Sequence, residues 1–320
     1  MKRVLFVTNH VAPNRVGAFA ALAERVPLDV VTFGGPQKHG ATVTPYGRPL
    51  SERAVAREVL RGDWSAVVSG TAGRLALPAA YLAARRRGLP FVHWAAFWAT
   101  PRTPAHLAAT PLMRSIYRHS AAVVTYGPHV SAYVREHGAQ AVFVAPQSAD
   151  NAFWSEPSGT PPDAFTALFV GRDAPEKGLG VLREAWDGNG RLDVVTGGRT
   201  PEQLRNFYAR SHVLVMPSLR TREFREPWGL VANEAMNQRT AIIASDEVGA
   251  AAGGLIADGR NGLVVPAGDA GALRTAITRL RDDAALRERL AAQGEQDVAA
   301  YSHDAWAAGF EAALRQAGGC

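Results

Sequence analysis

The sequence is nearly free of cysteine. Its single one, Cys320, stands at the very end of 320 residues, which excludes an internal disulfide framework, a cysteine-based zinc cluster and a cysteine nucleophile in the core. No apolar run approaches the roughly 18 residues that suggest a membrane span. The first strand is not followed by Gly-x-Gly-x-x-Gly, since its loop holds only Gly17, and this disfavours an NAD-dependent dehydrogenase. Nor is there an Asp-x-Asp of the kind used by metal-dependent transferases, an internal repeat or a low-complexity tract.

What is present reads as ordinary α/β material: 47% hydrophobic residues, 31 Gly and 20 Pro, in a chain longer than one hydrophobic core usually supports. Two domains are the default. The start, Met-Lys-Arg-Val-Leu-Phe-Val-Thr, moves straight into a strand without a signal-peptide cleavage pattern, so we expect a cytoplasmic protein. The net charge of +6 comes mainly from arginine, with a local run at Arg85-Arg86-Arg87. Such a balance suits an anionic substrate, an anionic lipid surface with peripheral contact at the inner face of a membrane, or nucleic acid; a GC-rich genome gives the same composition. No nucleic-acid partner is expected.

Strand and helix patterns alternate along the chain. Arg3 to Thr8 and Leu28 to Phe33 read as strands around an Ala-rich helical stretch, with Gly34-Gly35-Pro36 as a stop. Ala66 to Ser69, Phe91 to Trp94, Ala121 to Tyr126 and Val142 to Ala145 continue the first sheet. His93 ends a strand, where ligands of doubly wound sheets bind, and Trp94, Phe97 and Trp98 make that region aromatic, as core packing or as an acceptor platform. Pro157 to Pro162 reads as a linker. Beyond it Phe165 to Val170, Leu192 to Thr196, Val213 to Met216 and Ala241 to Ala244 form a second set of strands. Ala272 to Leu290 reads as one amphipathic helix and Tyr301 to Gln316 as a last one.

Two stretches carry chemistry. After the strand ending at Val170 comes Gly171-Arg-Asp-Ala-Pro-Glu-Lys-Gly178, which puts Arg172 and Lys177 around a turn at the carboxyl edge of a sheet, suited to a diphosphate. Further on, Glu226-Pro-Trp-Gly-Leu-Val-Ala-Asn-Glu234 passes from loop to helix at Trp228 to Leu230. A helix start leaves backbone N–H groups free and its dipole favours an anion, with one carboxylate on each side to accept hydrogen bonds from hydroxyls.

The Glu-x7-Glu stretch, with Met216-Pro217-Ser218 upstream and Asp258-Gly-Arg-Asn-Gly262 downstream, resembles the signature of glycosyltransferase family 4, retaining enzymes of the GT-B fold. The Gly-Arg-x-x-x-Glu-Lys-Gly turn matches the same family in the expected order. The resemblance is clear over about 118 to 270. It implies an α/β fold of two doubly wound Rossmann-like domains facing a central cleft. The expected division is an acceptor-side domain at 1–155, a nucleotide-sugar domain at 163–300, and a final helix, 301–320, packing back on the first domain.

The resemblance also implies roles. Arg172 and Lys177 grip the donor diphosphate with Gly171, Trp228, Gly229 and Leu230; Glu226 orders the transferred sugar, Glu234 the ribose. His93 lies near the sugar. The first loop of the family often carries paired glycines over donor and acceptor, and Val16-Gly17-Ala18 keeps one of them. The expected activity is transfer of a sugar from a UDP- or GDP-linked donor to a glycan, lipid-linked or small-molecule acceptor, without a metal or other cofactor. The competing readings are a related sugar-nucleotide hydrolase or phosphorylase and a non-catalytic nucleotide-sugar binding protein.

Overall fold

The computed structural model describes residues 2–34, 47–71 and 73–319. Gly35 and Pro36, expected to stop the second strand, and Cys320 lie outside them. The chain forms two compact units, Met1–Ser148 with Ser302–Cys320, and Ala149–Tyr301.

Unit 1 is built from β1 (Arg3–Thr8), α1 (Val16–Ala23), β2 (Leu28–Thr32), β3 (Arg48–Pro49), α2 (Val55–Arg61), β4 (Trp64–Gly70), α3 (Ala76–Arg87), β5 (Phe91–Ala95), α4 (Pro104–His119), β6 (Ala122–Thr125), α5 (Pro128–Glu136) and β7 (Val142–Val144). Its sheet has the order β3-β2-β1-β4-β5-β6-β7, and all neighbours run parallel. Strands covered on both faces need apolar side chains on both, which is why β1 reads as a continuous run from Val4 to Val7, each at most 1% exposed.

Unit 2 comprises α6 (Asn151–Ser155), β8 (Thr166–Val170), α7 (Leu179–Ala185), β9 (Arg191–Val195), α8 (Pro201–Ala209), β10 (Val213–Met216), α9 (Val231–Asn237), β11 (Ala241–Ser245), α10 (Gly249–Ala252), β12 (Leu263–Val265), α11 (Ala270–Asp282) and α12 (Ala284–Val298). Its parallel sheet has the order β12-β11-β10-β8-β9, so the strand order reverses between β8 and β10. The helix expected as one element from Ala272 to Leu290 is two. Asp283 leaves helical backbone at φ −111° and ψ 86°, and its side chain caps α12 by accepting from the Leu286 amide at 2.8 Å.

The segment from Ala149 to Pro162 joins unit 2 instead of dividing between the first domain and a linker. Trp154 packs edge-on against Tyr208 at 5.9 Å, and Asn237 donates to the Asn151 side chain at 3.0 Å. The chain then returns to unit 1 as α13 (His303–Gln316), where Trp306 and Phe310 complete an aromatic cluster with Phe6, Phe19 and Trp94. No helix among the described residues is long and apolar enough to cross a membrane.

Candidate active site

The two chemical stretches meet at the carboxyl ends of β8 and β10, where the strand order of unit 2 reverses and open α/β sheets bind ligands. Leaving β8, the chain turns through Gly171 and forms a single 3-10 turn at Pro175–Lys177. Gly178 ends that turn at φ 68°, and a Cβ there would stand 1.9 Å from the Pro217 carbonyl oxygen. Only glycine lets the turn close against the loop after β10. The Leu219 amide, donating to the Glu176 carbonyl at 2.8 Å, fastens the two loops together.

This closure delivers the Lys177 ammonium to the Glu226 carboxylate, an ion pair across 49 residues of sequence. Glu226 is 7% exposed, and the Ser218 hydroxyl stands 3.5 Å from the same carboxylate oxygen. The loop itself is held by the Ser245 hydroxyl, which donates to the Ser218 carbonyl at 2.5 Å. Arg172 behaves differently. Its side chain is 65% exposed and pairs with Glu176 at 2.7 Å, so one cation of the turn is enclosed and the other open to solvent.

Beyond Glu226 the backbone approaches α10 too closely for a side chain. A Cβ on Gly249 would lie 2.1 Å from the Pro227 carbonyl oxygen, and the Ala250 amide donates to the Trp228 carbonyl at 2.7 Å. Gly229 takes φ 91°, and Leu230 caps α9 with its backbone alone. The amides of Gly229 and Leu230 have no acceptor among the described residues, whereas that of Ala232 already donates to the Gly229 carbonyl at 3.0 Å. Trp228, expected among the donor contacts, is 3% exposed and turned inward: its indole N–H donates to Asn233 Oδ1 at 2.8 Å and its ring packs on Tyr301 at 5.6 Å. Its ring supports the loop from behind.

Glu234 lies in α9 and is 8% exposed. Tyr208 on α8 donates to its Oε2 at 2.7 Å, while Oε1 has no hydrogen-bond partner among the described residues. Burial raises the carboxyl to about 7 against the downward pull of that hydrogen bond. Nothing near Glu234 in sequence points to Tyr208, which stands 26 positions away on another helix.

Two expected site residues have other surroundings. His93 was read as ending its strand, but β5 continues to Ala95 and His93 is 0% exposed. Its Nδ1 bonds the Ser69 carbonyl at 3.1 Å, its ring packs 5.6 Å from Tyr117, and Nε2 has no hydrogen-bond partner among the described residues. Burial lowers its pKa to about 4, so it is a neutral core residue instead of a cleft group. Gly17 is the second residue of α1, and a Cβ there would come 2.3 Å from His303 Cδ2. The close approach that glycine allows is to a side chain of α13. In the basic run, Arg85 donates to the Tyr81 hydroxyl at 3.0 Å and Arg87 to the Val59 carbonyl at 3.0 Å. Among the described residues no group of three or more His, Cys, Asp or Glu side chains is placed to hold a metal ion.

Residues 188–297 match the family model of glycosyl transferases group 1. A phosphatidyl-myo-inositol mannosyltransferase of Mycobacterium leprae is 33% identical over 45% of this chain and 44% of its own length. An alpha-D-kanosaminyltransferase of Streptomyces kanamyceticus is 28% identical over 63% of this chain and 57% of its own. The chain thus spans about half the length of the curated relatives it matches. Among solved structures, sucrose-phosphate synthase from Thermosynechococcus elongatus superposes with a TM-score of 0.76 at 18% identity, covering 98% of this chain and 99% of the other. The Anabaena protein HepE, in complex with UDP and glucose, gives 0.71 at 15% identity over 94% and 96%. Over residues 188–297 the chain is thus similar to the glycosyl transferases group 1, and its fold is the GT-B fold of these solved structures.

Proposed function

We propose that the protein is a retaining glycosyltransferase that moves a sugar from a nucleoside diphosphate sugar to a hydroxyl of a glycan, a lipid-linked glycan or a small metabolite. The observation that carries this reading is the Lys177–Glu226 ion pair at the strand-order reversal of unit 2, beside the amides of Gly229 and Leu230. A diphosphate at this point meets the Lys177 ammonium, the open Arg172 guanidinium and the two amides. These charges match the negative charge that develops on the leaving group as the glycosidic bond breaks, and so favour the transition state over the bound donor. The cations act in place of a metal.

Glu226, held against Lys177, accepts hydrogen bonds from hydroxyls of the transferred sugar and fixes its anomeric carbon. The Oε1 atom of Glu234 takes a ribose hydroxyl while Oε2 keeps its bond from Tyr208. Retention follows from attack on the face the diphosphate leaves, a phosphate oxygen receiving the acceptor's proton. The UDP complex of HepE supports a uridine diphosphate donor. The reaction belongs in the cytoplasm, with Arg85 to Arg87 as a peripheral contact for anionic lipid; flotation with anionic vesicles at low salt tests that contact, and absence of association removes it.

The test is product analysis. The protein is incubated with UDP-glucose or GDP-mannose and a panel of hydroxyl acceptors, and products are identified by mass spectrometry and proton NMR of the anomeric signal. A glycoside with the donor's configuration is expected. Free sugar or sugar phosphate alone would instead make the protein a hydrolase or phosphorylase, and calorimetric binding of UDP without turnover would make it a binding protein.

A further inference from the structure

The helix α4 has 16 residues, yet its buried side chains are confined to Ile116 and Tyr117 near its end. Its front half borders a cavity of about 650 Å³ that lies wholly within unit 1. Leu77 of α3, Phe97 of the loop after β5, and Ala109, Leu112 and Met113 of α4 give it an apolar lining. Protein interiors leave few voids larger than a water molecule, and small-molecule sites occupy roughly 300–1,000 Å³ with apolar walls and a few fixed polar groups. This space has the second character.

The polar groups are selective. Tyr117 is 3% exposed and lines the cavity, and its hydroxyl has no hydrogen-bond partner among the described residues. A phenol so enclosed is held neutral and offers a proton with nothing in the protein to receive it. Arg74 and Arg114 line the same space with His106 and His137, and no carboxylate among the described residues does. Neither arginine is paired with an acid among the described residues. Guanidinium groups left unpaired beside an apolar cavity suit a planar or tetrahedral oxyanion.

We propose that this cavity binds one amphiphile, with an apolar body enclosed beneath α4 and a phosphate or carboxylate head paired with Arg74 and Arg114, the Tyr117 hydroxyl donating to a polar atom of the ligand. The site belongs to unit 1 alone and does not depend on the transfer reaction, so each can fail without the other.

The full chain is titrated calorimetrically with decyl phosphate, decanoate, decyl glucoside and inorganic phosphate, each below its micelle concentration. Saturable one-to-one binding is expected for decyl phosphate or decanoate, at least about tenfold tighter than for decyl glucoside and for inorganic phosphate. Ala109→Phe, which adds a ring to an exposed position of the cavity-lining face, should weaken that binding roughly tenfold or more with an unchanged unfolding midpoint. Arg74→Gln combined with Arg114→Gln should bring decyl phosphate down to the level of decyl glucoside. Heat without saturation would overturn the proposal, and so would wild-type affinity in folded Ala109→Phe. If that variant does not fold, the arginine pair decides, and unchanged selectivity for the anionic head sinks the assignment. Inorganic phosphate binding as tightly as decyl phosphate would reduce the site to a surface anion contact.

Discussion

The Tyr208 hydroxyl donates to Oε2 of Glu234 at 2.7 Å inside unit 2, leaving the carboxyl one open oxygen, and burial holds that carboxyl at about 7. Only the ionised form accepts hydrogen bonds at both oxygens. Donor affinity should therefore rise as pH climbs through about 7, read by UDP titration between pH 6 and 8. Tyr208→Phe removes the contact that lowers the pKa and should move the midpoint upward. A flat profile in the wild type would show that Glu234 does not meet the donor.

Glu226→Gln and Glu234→Gln should fail differently. Loss of a carboxylate's charged hydrogen bonds costs about 1.5–3 kcal/mol, or roughly 10- to 150-fold. For Glu234→Gln the loss should appear in KM, because a ribose contact is made equally before and during reaction. For Glu226→Gln it should appear mainly in kcat, since a misplaced sugar disturbs the transition state. Wild-type constants in both variants would contradict the proposed site.

Stability should respond to pH through two buried groups of opposite sign. His93 has its pKa lowered by burial to about 4, so the unfolded chain takes up its proton first and stability falls as pH drops from 6.5 toward 4. His93→Leu should flatten that fall and leave kcat at neutral pH nearly unchanged. Glu234 is raised by burial from 4.5 to about 7, so the folded chain holds its proton longer and stability is lost as pH rises through that window. Glu234→Gln should raise stability at pH 8 by about 2 kcal/mol, given about 1.4 kcal/mol per pKa unit and some relaxation. Urea unfolding at pH 4.5, 6 and 8 measures both slopes.

Lys177→Met should lower kcat by roughly 10²–10³, the usual loss on removing a donor aimed at developing charge. It also strands Glu226 without its ion pair, so a melting curve must accompany the assay. Transfer should continue in excess EDTA. Strict restoration by magnesium or manganese would refute the metal-independent course.

Local pattern carried much of this architecture. Parallel strands enclosed on both faces leave unbroken apolar runs, so β1, β8, β10 and β11 are visible from composition alone. That both stretches serve one site was readable because each has its own spacing, but the ion pair between Lys177 and Glu226 was not. The surroundings of Trp228 were not: an aromatic flanked by Pro and Gly suits a ligand or a core equally, and only the Asn233 and Tyr301 contacts decide. His93 was misplaced through a strand end drawn one residue short of Ala95. Tyr208 was silent, since its partnership with Glu234 depends on two helices packing side by side. The cavity beneath α4 was invisible for a related reason, because a sequence displays which residues are apolar and not whether anything fills the space between them.

Unit 1 begins with β1 but is closed by α13, and Trp306 and Phe310 cover rings contributed by Phe6, Phe19 and Trp94. As the chain emerges from the ribosome, those early aromatics wait for the whole of Ala149–Tyr301 to be made before their cover arrives. Synthesis at roughly 5–20 residues per second makes that wait on the order of ten seconds or more. The first-made half is therefore the last to finish folding, and a ribosome stalled before α13 releases a nascent chain with an open aromatic face, a natural substrate for a chaperone.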